Sequence, residues 1–158
     1  MSYKLHAWAA VGCNFKSKLI FYDAGNSNGK MNHRIYRDQI LEPIVKDWLL
    51  ADFVLEEDGD SGHGYRSGNN LVKDWKTTNS LETYKNCAGS PDFVPIENSW
   101  QVPKQHVRKH PHLDLDTLKE LALEGWEKLS QETINKWVDE VPQRLQDCIN
   151  SKGKMTGH

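Results

Sequence analysis

The chain lacks the features that would commit it to disulfides, a membrane or one sign of charge. Its three cysteines, Cys13, Cys87 and Cys148, are odd in number and show no C-x-x-C spacing. That argues against a disulfide framework or a cysteine-built metal site, and for free thiols in a reducing compartment, nucleus or cytoplasm. No apolar run approaches the roughly 20 residues of a membrane span. The N-terminal "MSYKLHAWAA" has no signal-peptide pattern, so no membrane partner is expected. A net charge of −2 neither requires nor excludes a nucleic-acid partner, because binding depends on where charges cluster.

What is present suits a packed domain. With 158 residues, 37% hydrophobic and six Trp between Trp8 and Trp137, the composition is globular. A chain of this size buries roughly two thirds of its unfolded surface on folding. The first segment reads as two strands, Leu5–Ala9 alternating and Leu19–Tyr22 continuous, with "GCNFKS" breaking the pattern between them. In "MNHRIYRDQILEPIVKDWLL", Ile35, Ile40, Leu41, Ile44, Val45, Trp48 and Leu49 share a helical face, Asn32 is an N-cap, and Pro43 bends or divides the helix. "DFVLEED" reads as a short strand, followed by a helix with Leu71, Val72 and Trp75 inward, a strand over "SLETYKNC", and a helix with Pro95 near its first position and Glu97 in its first turn. From Asp114 onward, two or three amphipathic helices form a tail over residues 113–158, with breaks at Ser130 and Pro142. This order predicts one α/β domain over 1–158, a mixed sheet flanked by helices.

In such sheets functional side chains collect at the carboxyl ends of strands, and Asp58 sits at one. The stretch "DFVLEEDGDSGHG" drives apolar residues into three acids and then glycines. Unpaired buried carboxylates are costly, so Glu56 and Glu57 are expected to point outward while Asp58 meets a cation. A calcium loop of the EF-hand type fails: the sixth position is His63 instead of glycine and the twelfth is Asn69. A partner carboxylate is therefore needed, and "SPDFVPIENSW" offers Glu97, with Asp92 either joining the site or stiffening the turn. "PKQHVRKHPH" gathers Lys104, Arg108 and Lys109 with His106, His110 and His112, either a strip along a DNA backbone or a solvated helix face.

These residues carry a resemblance. "EEDGDSGHG" resembles the pattern Asp-Asn-Ala-x-x-His, with Gly59 and Asp60 departing from it. "SPDFVPIENSW" is similar to Ser-Pro-Asp-Leu-x-Pro-Ile-Glu-Asn-x-Trp, with Phe93 in place of leucine. Both motifs are those of the mariner superfamily of DDE transposases, with the fungal DDE endonuclease domains nearest. "HAWAAVG" resembles that family's second strand and "VPQRLQDCINSKG" its closing helix. The resemblance implies a ribonuclease H-like fold whose carboxylates hold two divalent ions, Mg²⁺ with Mn²⁺ as substitute, about 3.5–4 Å apart. It assigns Asp58 and Glu97 as catalytic metal ligands, and His63 either as a residue behind the ligands and near DNA or as a local brace for the loop. Its partners would be transposon ends and target DNA, and its place the nucleus.

The family's first catalytic Asp lies on a strand upstream of the one "KLHAWAAVG" resembles. No acid precedes Asp23, and Asp23 matches a non-catalytic position. The expectation is therefore a catalytic domain lacking its first, central strand and inactive alone, with exposed strand edges that invite self-association. The rival expectation is a transposase remnant that binds DNA or protein without catalysis.

Overall fold

The computed structural model describes residues 4–25, 29–65, 68–86, 93–111 and 114–151. Asp92, Cys87 and His112 lie outside the described residues. The chain divides into two compact units, one of Met1–Leu19 with Ser90–His158 and the other of Ile20–Gly89. In chain order the regular elements are β1 (Ala7–Trp8), β2 (Val11–Gly12), β3 (Phe15–Lys16), β4 (Ile20–Phe21), α1 (His33–Ile35), β5 (Leu55–Glu57), α2 (Leu71–Thr78), β6 (Thr83–Lys85), α3 (Pro95–Lys109), α4 (Leu115–Glu127) and α5 (Gln131–Asn150).

In the first unit the stretch read as a break contains a hairpin. β2 and β3 pair antiparallel, Val11 with Lys16 and Gly12 with Phe15, around a two-residue turn in which Asn14 takes a positive φ of 55°. Asparagine tolerates that backbone because its short side chain finds local partners. Here the partner is Asn135 of α5: the Asn14 N–H donates to Asn135 Oδ1 at 2.8 Å, and Asn135 Nδ2 donates to Asn14 Oδ1 at 2.8 Å. Gln131 adds a bond from Nε2 to the Gly12 carbonyl. The hairpin is thereby docked onto the start of the last helix.

Trp126, fully buried, is the centre of this unit's core with Leu129 and Ile134. Its indole N–H donates to the Ser17 carbonyl at 2.9 Å. Lys16 Nζ donates to the Trp126 and Leu129 carbonyls at 3.1 and 2.8 Å, placing a cation on the orphan carbonyls where α4 ends. Asp114 and Ser130 cap α4 and α5 by accepting from the Thr117 and Thr133 amides. The break expected at Ser130 is real. The one at Pro142 is not, since α5 runs through it to Asn150, and α3 likewise runs through Pro103.

α3 and α4 pack closely because Gly125 has no side chain. A Cβ there would lie 2.7 Å from the Pro103 Cα and 2.9 Å from the His106 Cβ. His106, read as part of a basic strip, is buried in this contact: Nε2 donates to Glu124 at 3.0 Å and Nδ1 accepts from Lys128 at 3.1 Å. Lys104, Arg108 and Lys109 do lie exposed.

The second unit opens with Asn32 capping α1 through the Ile35 amide. α1 passes into a π-helical turn over Tyr36–Leu41, and a 3₁₀ segment follows over Val45–Ala51, so the helix is divided around Pro43. Tyr36, Ile40, Leu41 and Val45 are wholly buried, whereas Trp48 and Leu49 are only half-buried. β5 and β6 pair in parallel, Leu55 with Thr83 through Glu57 with Lys85, and α2 forms the crossover between them. Val72 and Trp75 point inward, while Leu71 is 38% exposed because it occupies the first helical position, after the Asn70 cap.

Gly125 provides a direct test of the α3–α4 contact. On an exposed helix Gly→Ala would gain about 1 kcal/mol. Gly125→Ala is expected instead to destabilise the protein by about 1–3 kcal/mol through overpacking against Pro103 backbone, read as a lowered midpoint in urea or thermal unfolding.

Candidate metal and nucleic-acid site

Strand alternation decides what the acid run does. Leu55 and Glu57 face inward at 7% and 6% exposure, and Glu56 faces out. The expectation that Glu57 points outward is thus overturned, and the reason is that a complete set of partners waits for it. Lys76 of α2 forms an ion pair with its Oε2 at 2.5 Å, and both side chains are nearly inaccessible. Tyr65 Oη donates to the same oxygen at 2.7 Å, and Tyr36 Oη donates to Oε1. Burial, and then the Glu57 charge, push the Tyr36 phenol well above its ordinary value, so it stays a donor. Burial draws the Lys76 ammonium downward, against the pull of Glu57. Every polar atom of the cluster is satisfied, which a buried charge pair requires.

Asp58 follows directly and belongs to the solvent side, with 69% of its side chain exposed. Its Oδ1 accepts from the Asp60 amide at 3.0 Å and from His63 Nδ1 at 2.8 Å. Among the described residues its Oδ2 makes no hydrogen bond. The hydrogen bond from His63 holds the Asp58 carboxyl below the usual carboxylate range, aided by the Asp60 amide and opposed by partial burial. Burial pushes the His63 ring down, but the Asp58 bond and the charges of Glu57 and Asp58 push it up further, so its net shift is upward. The His63 ring thus bonds the Asp58 carboxylate from within the loop, a contact that both roles expected of His63 share.

The loop between them is tightly shaped. Asp60 caps a 3₁₀ turn over Ser61–His63 by accepting from the Gly62 amide at 2.7 Å. Gly62 has no room for a Cβ, which would sit 2.7 Å from the Met31 carbonyl oxygen, and Gly64 needs its φ of 87°. His33 Nε2 donates to the Ser61 carbonyl at 2.7 Å, and the Tyr36 and His63 rings lie 4.6 Å apart.

Glu97 belongs to the other unit. It stands exposed in the first turn of α3, where the helix dipole favours a carboxylate, and Pro95 occupies the first turn as expected. Lys104, Arg108 and Lys109 follow on the same helix. Within neither unit do three His, Cys, Asp or Glu side chains gather into a cation cage among the described residues. Sequence reasoning missed Glu57, Lys76, Tyr36 and Tyr65 as a set.

Two outcomes follow from these contacts. Lys76→Met, which strands a buried carboxylate, is expected to cost about 3–5 kcal/mol, while the paired change Glu57→Gln with Lys76→Met costs much less; equilibrium unfolding compares them. The His63 ring, followed by NMR, is expected to titrate above its ordinary 6.5, and Asp58→Asn is expected to lower that midpoint. The stability this pair supplies through His63 is complete below pH 6.5 and is lost as pH rises through the folded value.

No family model matches the chain. It is 27% identical over 131 residues to the Tcb2 transposase of Caenorhabditis briggsae and 24% identical over 127 residues to the Tc1 transposase of Caenorhabditis elegans, covering in each case 78% of this chain and 45% of the relative. The chain thus spans about half the length of the curated relatives it matches. Among solved structures it is similar to the Mos1 mariner transposase catalytic domain. One such structure, with raltegravir and Mg, gives a TM-score of 0.68 at 18% identity, covering 89% of this chain and 71% of that one. Another gives 0.65 at 18% identity, covering 96% and 82%. The chain is thus similar in sequence to the Tcb2 and Tc1 transposases and shares the ribonuclease H-like fold of the Mos1 catalytic domain.

Proposed function

We propose that residues 1–158 form part of a transposase-type DNA endonuclease domain, with 113–158 as its helical tail, in which Asp58 and Glu97 are two ligands of a divalent-cation site. The observation that carries this reading is the state of Asp58. It is an exposed carboxylate held ionised by His63 and the Asp60 amide at the end of a parallel strand, with Oδ2 unengaged among the described residues. Its donor chemistry fits the group the fold family implies. Asp58 and Glu97 both offer hard, exposed carboxylate oxygens, which suit Mg²⁺ or Mn²⁺. The Mos1 catalytic domain has been solved with each of these metals. When bound, such ions activate the attacking oxygen and stabilise the leaving one. The chain's own contribution is to fix the Asp58 carboxylate through His63 and to present Glu97 at a helix start.

DNA is the proposed partner, in the nucleus, with Lys104, Arg108 and Lys109 as phosphate contacts. Their exposure on α3 supports this part of the reading, and it is also what favours the second reading, a DNA-binding remnant without catalysis. The family's first catalytic Asp has no counterpart before Asp23 in these residues, so strand cleavage by the chain alone is expected near background with Mg²⁺ or Mn²⁺. Mn²⁺ binding separates the two readings. Calorimetric titration is expected to show binding that Asp58→Ala or Glu97→Ala weakens by tenfold or more, on the order of 1.4 kcal/mol each. Affinity indifferent to both substitutions would leave the remnant reading.

A further inference from the structure

The buried cluster under the Asp58 loop has a use beyond holding the sheet to its helices. Lys76 Nζ grips Glu57 Oε2 at 2.5 Å and also donates to the His63 carbonyl at 3.1 Å. Glu57 immediately precedes Asp58, and His63 is the residue that bonds Asp58 Oδ1. One ammonium therefore ties together both ends of the segment from which Asp58 projects, from the last residue of β5 to the last residue of the 3₁₀ turn. Glu57 is fixed further by the Tyr36 and Tyr65 hydroxyls, and Lys76 lies 5.9 and 4.8 Å from the centres of their rings. The His63 ring leans on Tyr36 as well.

We infer that Lys76 is a positioning residue for the Asp58 carboxylate: its bridge between Glu57 and the His63 carbonyl sets the span of the loop and so fixes where Asp58 presents its oxygens to a divalent cation. This rests on the reading of Asp58 as a cation ligand. The physical reason is that a carboxylate binds a divalent ion well only when its direction is already set, and residues behind a ligand commonly govern affinity by about 10- to 100-fold. His63 orients Asp58 only while the His63 backbone stays in place. Among the described residues, side chains hold the carbonyls of the turn at Ser61, through His33, and at His63, through Lys76. Lys76 is the one that also reaches the strand. It also pairs the Glu57 charge, so that of these two adjacent acids only Asp58 is offered to solvent.

The experiment uses the full 158-residue chain and Mn²⁺ as the probe, with free ion read by electron paramagnetic resonance and fold checked by circular dichroism. The variants are Asp58→Asn, Lys76→Met, the pair Glu57→Gln with Lys76→Met, and Ile40→Val. The paired change removes both buried charges together and so keeps the fold where Lys76→Met alone threatens it. Ile40→Val deletes a buried methyl in the same unit, outside the Glu57–His63 segment, and lowers stability while leaving the Lys76 bridge intact. Expected results are loss of binding in Asp58→Asn, affinity weakened about tenfold or more in the paired variant, and wild-type affinity in Ile40→Val. Wild-type affinity in the folded paired variant, with Asp58→Asn impaired, overturns the role of Lys76. Equal weakening in Ile40→Val also overturns it, by making stability the cause. Unchanged binding in Asp58→Asn overturns the cation reading itself and this inference with it.

Discussion

The second unit is organised around a negative charge that is kept out of water. Burying a carboxylate costs several kcal/mol unless it is paired and its remaining lone pairs are filled. Glu57 meets that condition with an ammonium and two phenols drawn from different parts of the unit: Lys76 from the crossover helix, Tyr36 from the helical segment before the strand, and Tyr65 from the loop after it. Ion pairs of this kind add little net stability against a well-packed apolar alternative. What they impose is uniqueness. A short parallel pair of strands, three residues each, has few hydrogen bonds with which to fix its register. With Glu57 held from three directions, a slip by one residue would turn it outward and put Glu56 in its place, with no gain in pairing.

The first unit solves a comparable problem without a buried carboxylate. Its central side chain is Trp126, whose one polar atom is taken by the Ser17 carbonyl, and the carbonyls that end its helix are taken by Lys16. His106 is inserted between α3 and α4 with both ring nitrogens engaged. The close approach allowed by Gly125 makes α3 a fixed platform within this unit. The helix that carries Glu97 is therefore positioned by a contact far along it, where Pro103 and His106 meet α4.

Much of this was legible in the sequence, for identifiable reasons. Caps and helix starts depend on one residue and its near neighbours, so Asn32, Asp114, Ser130 and Pro95 read correctly. The Asp58–His63 relation was also local, five residues apart on a glycine-rich loop. What failed depended on distant partners. Three acids in a row read as a strand's exit, and that impression hid the alternation which places Leu55 and Glu57 on one face. Lys76 lies 19 residues beyond Glu57, yet a signal existed: it sits four residues after Val72 and next to Trp75, on the buried face of α2, where an unpaired lysine would be untenable. His106 was grouped with its basic neighbours by sequence when its helical position turns it toward α4. Pro142 was read as a break, but a proline removes one backbone bond, and a twenty-residue amphipathic helix absorbs that loss.

Glu57 and Asp58 show how adjacent residues of one type acquire opposite duties. The pleat of the strand sends them to opposite sides, and environment does the rest. The inward carboxylate is neutralised by Lys76 and spends all its acceptor capacity on the fold. The outward one is kept ionised by a histidine and one amide that share a single oxygen, which leaves the second oxygen available. With Glu57 paired beneath the loop, His63 and the Asp60 amide are what hold the exposed carboxylate ionised, and any cation chemistry at Asp58 starts from that arrangement.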